Sequence, residues 1–183
     1  MPHIKGRTVL KEDLLRVLHK IVNDIEGVQR KIKLYCIGGT ELMLAGVRES
    51  SKDIDLIMSD KDFTAISSAI AEIEWKEKVR IDPFPNGRMP GYKLPIYSKN
   101  AKKAPYLFKN IELYLIDKIN FLITKSLGGR DADLEGISQF VSVEDAPESE
   151  VRKRFNGLKL DKDQENKIKS KFESFIQEFY KGM

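Results

Sequence analysis

Residues 32–58 read IKLYCIGGTELMLAGVRESSKDIDLIM, and the fold turns on this stretch. Ile32, Leu34, Tyr35, Cys36 and Ile37 make a short apolar run of strand length, closed by Gly38-Gly39. Thr40 to Ala45 predicts a short helix that stops near Gly46, and Arg48 to Lys52 is a polar loop. Ile54 to Met58 predicts a second strand, whose apolar positions alternate with Asp53 and Asp55. A strand, a glycine turn, a helix and a second strand thus follow one another with little chain between them.

Outward from this centre, Leu14, Leu15, Leu18, Ile21, Val22 and Ile25 fall at helical spacing and predict an amphipathic helix from Leu10 to about Arg30. Phe63, Ile66, Ile70 and Ile73 predict another from Asp60 to about Glu74, with Asp60 as its N-cap. Val79 to Phe84 reads as a strand ended by Pro83 and Pro85. Short strands are expected near 92–97 and 106–108, and a longer one at Ile111 to Leu115. Helices follow from Asp117 to about Leu127 with Gly128 as C-cap, from Arg130 to about Val141, once within 142–160, and from Asp161 to Tyr180. The order predicts an α+β fold. A mixed sheet flanked by helices occupies residues 1–116, and a helical region at 117–183 packs on it.

The chain has 183 residues, 41% of them hydrophobic and 33% charged, which suits a globular protein and excludes a disordered one. The formal net charge of +4 and a pI near 9.0 are compatible with a phosphate-rich partner. One cysteine, Cys36, excludes an intrachain disulfide, and its apolar setting predicts a buried structural thiol. No apolar run is long enough to span a membrane and the start carries no signal core, so the expected location is cytoplasmic.

The chemistry centres on Asp53-Ile54-Asp55. In a strand, side chains two apart share a face with Cα atoms about 6.5–7 Å apart. Two carboxylates so placed repel each other unless a cation lies between them. Mg²⁺ prefers carboxylate and phosphate oxygens, and two such ions about 3.5–4 Å apart can hold both the attacking and the leaving oxygen of a phosphoryl transfer. The glycines let backbone approach a ligand, and the helix start after them offers N–H groups to phosphate. Thr40 can cap that helix or bond a phosphate. Each motif alone has a plainer explanation: a solvated edge strand for the aspartates, a tight turn for the glycines.

Ile37-Gly38-Gly39-Thr40, with Asp53-Ile54-Asp55-Leu56 beginning thirteen positions after Thr40, resembles the signature of the DNA polymerase beta-like nucleotidyltransferase superfamily. Gly39-Thr40-Glu41-Leu42-Met43-Leu44 and Ser50-Ser51-Lys52-Asp53-Ile54-Asp55-Leu56 resemble one branch in particular. It holds small prokaryotic nucleotidyltransferase-like proteins and the toxins of abortive-infection toxin–antitoxin pairs. The resemblance implies a third acid on a later strand, for which Asp82 is the choice and Glu112 the fallback. Ile123 to Leu134 resembles a later motif of the branch and adds Lys125, Arg130 and Asp133 as nucleotide-binding candidates.

The implied function is transfer of a nucleoside monophosphate from a nucleoside triphosphate (NTP) to an acceptor hydroxyl, on RNA such as tRNA or on a protein. Asp53, Asp55 and Asp82 would hold Mg²⁺ or Mn²⁺, while Gly38, Gly39, Thr40 and Lys125 would hold the triphosphate. A toxin-like role with an antitoxin partner is implied by the same branch. A catalytically inactive nucleotide-binding or protein-interaction module of the same fold is the alternative.

Other features carry less. His3 and His19 make no zinc spacing, and no Gly-Lys-Ser/Thr loop is present. Trp75 is expected at the core or its rim. Arg88, Lys93, Lys99, Lys102 and Lys103 with Tyr92, Tyr97 and Tyr106 read as a solvated hairpin region that could also touch RNA. The amphipathic helices at both ends offer a homodimer surface.

Overall fold

A computed structural model describes residues 8–25, 27–94, 96–128 and 134–182. The chain runs β1 (Val9–Leu10), α1 (Lys11–Asp24), β2 (Ile32–Cys36), α2 (Gly38–Leu44), β3 (Ser50–Ser51), β4 (Ile54–Met58), α3 (Asp60–Glu77), β5 (Ile81–Pro85) and β6 (Arg88–Met89). It continues through β7 (Tyr92–Lys93), β8 (Lys102–Lys103), β9 (Ile111–Leu115), α4 (Lys118–Leu127), α5 (Leu134–Phe140), α6 (Glu148–Asn156), β10 (Lys159–Leu160) and α7 (Glu165–Lys181).

The fold is α+β. Its main sheet has five strands in the order β5-β4-β2-β9-β8. β2 lies parallel to β9 and antiparallel to β4, and β4 lies parallel to β5. Alternation along the strands divides the molecule into two apolar layers. Ile32, Leu34, Cys36, Ile54, Leu56, Ile111 and Leu113 face α1 and α3. Tyr35 and Ile57 face the other way, onto a cluster with Leu42 of α2 and the apolar faces of α4, α6 and α7. That second cluster crosses residue 117, and β10 pairs with β7, so the C-terminal helices share a core with the sheet.

The apolar stripes of α1 and α7, which suggested a dimer surface, are covered inside the chain: Leu14, Leu18, Ile168, Phe172 and Ile176 are buried. Cys36 is fully buried, and burial pushes its thiol well above the usual range. No helix among the described residues is long and apolar enough to cross a membrane.

The differences from the sequence expectation have local causes. β5 continues through Pro83 and Pro85 because it is an edge strand, where a missing N–H is tolerated. Ser59, not Asp60, caps α3, its hydroxyl accepting from Asp62 N at 3.0 Å. α1 ends at Asp24, six residues before Arg30, and α7 starts at Glu165. Trp75 is 76% exposed: two positions beyond buried Ile73, it points off the buried stripe of α3. Among the described residues, 88–109 forms β6, β7 and β8, with no strand at 106–108, and β10 joins β6 and β7. The expected helix at 130–141 is described from Leu134 onward.

Phe172 is 1% exposed and stacks on Phe155 with ring centroids 3.6 Å apart. Phe172→Ala is expected to cost about 3–5 kcal/mol in urea unfolding, whereas Gln177→Ala, on the exposed side of α7, should stay within about 0.5 kcal/mol of the parent. Equal effects would show that α7 is not docked as described.

Candidate active site

The β2–α2 turn sits against the strand that carries the aspartates. Gly38 has φ +62°, and a Cβ there would lie 2.9 Å from Asp55 Oδ2. A Cβ on Gly39 would lie 2.4 Å from Ser51 Oγ. A side chain at either position would displace a neighbouring side chain, and at Gly38 the positive φ adds backbone strain.

Thr40 is fully buried and works inward. Its hydroxyl accepts from Asp55 N at 2.9 Å and donates to Asp53 O at 3.3 Å. The hydroxyl considered for a phosphate is thus committed to the backbone on either side of Ile54. It fixes the segment on which both aspartates stand.

Asp53 is 8% exposed, and Asp55 and Asp82 are half-buried. The parallel register of β4 and β5 sets Asp82 directly beside Asp55. One carboxylate oxygen from each of Asp53, Asp55 and Asp82 lies within 4.8 Å of the others, a group that could hold a metal ion. Arg80 Nε donates to Asp82 Oδ1 at 2.9 Å. That hydrogen bond and the Asp82 charge, with smaller effects from Asp53 and Asp55, hold the Arg80 guanidinium above its ordinary value.

The three aspartates line a cleft of about 950 Å³ together with Gly38 and Gly39. The volume falls at the upper end of the range for small-molecule sites. Lys125 reaches the same cleft from α4, half-buried, with its ammonium 5.7 Å from the Phe121 ring centre. Arg130 and Asp133 lie outside the described residues. Glu112, the alternative third acid, is elsewhere on β9, bonded to Lys103 Nζ at 2.7 Å and to the Tyr114 hydroxyl at 3.0 Å.

Sequence reasoning missed several groups. Arg48, Lys52, Lys167 and Lys171 also line the cleft. The pair on α7 had a detectable signal, an i, i+4 spacing on the flank of the apolar stripe. Glu41 had none. It is fully buried in α2, and neither carboxylate oxygen has a hydrogen-bond partner. Burial pushes its pKa well up, Lys118 and Lys125 oppose that rise, and Asp117 adds to it.

The folded protein therefore favours the protonated form of Glu41 more than the unfolded chain does. Its contribution to stability is full below the ordinary value of 4.5 and is lost as pH rises toward the raised one. Between these limits, the parent should lose about 1.4 kcal/mol per pH unit relative to Glu41→Gln. Denaturant unfolding of both proteins across pH measures this. Parallel stability curves would show that Glu41 is not held neutral.

Comparison of the chain with protein-family models, with curated proteins and with solved structures finds no match.

Proposed function

We propose that this protein is a divalent-metal-dependent nucleotidyltransferase, moving a nucleoside monophosphate from an NTP to an acceptor hydroxyl. The observation that carries the reading is the convergence of Asp53, Asp55 and Asp82 beside the Gly38-Gly39 turn. The donor set fits a hard cation: three carboxylates at this separation repel one another and offer only oxygen. Mg²⁺ or Mn²⁺ bound there would neutralise the phosphate charge and orient the reacting oxygens.

The residues themselves do the rest. Thr40 holds the backbone of Asp53 and Asp55, which fixes where their two carboxylates start. The turn at Gly38 and Gly39 leaves open space above the acids for the triphosphate, and Lys125 supplies a point charge toward it. The acceptor oxygen attacks the α-phosphorus and forms the new P–O bond. The bond from that phosphorus to the bridging oxygen of the β-phosphate breaks, and pyrophosphate leaves with the electron pair. The acceptor proton passes to Asp82 or to water. The acceptor hydroxyl belongs to an RNA such as tRNA or to a protein, and a toxin-like role with an antitoxin follows from the branch that the motifs resemble.

The Arg80–Asp82 pair favours a second reading, in which an internal cation balances the acids and the fold serves as a nucleotide-binding or protein-interaction module. Titration with Mn²⁺ separates the two. The enzyme reading expects the parent to bind Mn²⁺ and Asp53→Asn to bind at least about 10-fold more weakly. If the parent binds none while Arg80→Met does, the second reading holds.

The direct assay incubates the protein with Mg²⁺, each labelled NTP and total RNA, and looks for label on RNA or on protein. Label is expected, and Asp53→Ala and Asp55→Ala should each reduce it by about 10²-fold or more with the fold intact by circular dichroism. No label under any combination, with no nucleotide binding by calorimetry, would sink the proposal.

A further inference from the structure

We propose that α7 forms the anion-binding wall of the cleft, where Lys167 and Lys171, with Lys52, seat the phosphate chain of a nucleoside polyphosphate independently of metal. The ligand class rests on the nucleotidyl-transfer reading. The site itself rests on the lysines.

Lys167 and Lys171 are four residues apart and so project from one face of α7. Buried Ile168 and Phe172 beside them anchor that face to the core, which fixes where the two side chains start. Both lysines line the cleft that holds the three aspartates, as do Gln164 and Ile168 of the same helix region. Like charges at this spacing slightly destabilise a helix, so the pair is not explained by helix stability.

Ion pairing differs between the cleft side of α7 and its outer side. On the outer side of α7, Lys169 pairs with Glu165 at 2.5 Å, and Glu173 takes Arg152 of α6 at 2.7 Å. The side chains of Lys167, Lys171 and Lys52 make no hydrogen bond or ion pair among the described residues, the three aspartates included. Three unpartnered ammonium groups from two parts of the chain thus border one cleft.

Lysine is a compact point charge with three donors, suited to phosphate oxygens, whereas a carboxylate ligand is better met by the planar fork of arginine. Several separate ammonium groups suit an anion with several charged groups. The aspartates repel that anion and need a cation to accept it. The lysine wall needs none, so the two halves of the cleft can load independently.

The test is calorimetric titration of inorganic tripolyphosphate into the full chain, at low salt and with a chelator present. The parent is expected to bind, and to bind less as salt rises. The double variant Lys167→Gln/Lys171→Gln should bind at least 10-fold more weakly. Lys167→Arg/Lys171→Arg should retain binding, and Lys169→Gln should bind as the parent does. Absence of binding by the parent overturns the proposal. So does a double variant that binds like the parent, or a loss in Lys169→Gln equal to that of the double variant. Nucleotide transfer assayed on the same proteins keeps the two ideas apart. Transfer by the parent, with unchanged tripolyphosphate binding in the double variant, removes the α7 wall and leaves the enzyme standing. Lysine-dependent binding without any transfer does the reverse.

Discussion

Gly38 and Gly39 let the β2–α2 turn lie directly against β3 and β4, and the geometry of the site follows from that approach. A side chain on either glycine would meet the Asp55 carboxylate or the Ser51 hydroxyl. With the turn seated, Thr40 straddles Ile54 and bonds the backbone of both Asp53 and Asp55. Strand pairing then extends this order sideways. Once β4 is fixed, its parallel register with β5 puts Asp82 next to Asp55, and the triad needs no further device.

The charges in and around the cleft are arranged unevenly. Three carboxylates gather at the end of β4 and β5, where Arg80 bonds Asp82. Lysines from the β3–β4 turn, α4 and α7 occupy other parts of the lining. In α2, Glu41 is buried without a hydrogen-bond partner. A neutral carboxyl there costs less than an ionised one, and even the neutral form carries a desolvation cost that packing of α2 must offset. Such an arrangement is poor as a stabilising device.

Much of this was legible because it is local. The apolar run at 32–37, the glycine pair and the alternation at 54–58 are short-range patterns, and β2, α2 and β4 form where those patterns lie. Asp53 and Asp55 needed only the period of two to share a face. The faults came where a neighbour decides. Pro83 and Pro85 read as strand breakers because their edge position was not visible, and Trp75 read as a core or rim residue because hydrophobicity does not reveal which side of α3 is covered. β1 and β3 are two-residue strands, too short to leave a periodic signal.

By itself the sequence determined the α+β class, the strand–turn–helix–strand centre and the common face of Asp53 and Asp55, since each depends on residues close together in the chain. Tertiary structure alone decided that Asp82 joins them, that Thr40 turns inward, that Glu41 is sealed off, and that α7 brings Lys167 and Lys171 to the same cleft. Those outcomes join residues up to more than a hundred positions apart, and only the pairing of β4 with β5 and the docking of α7 on α4 and α6 bring such residues together.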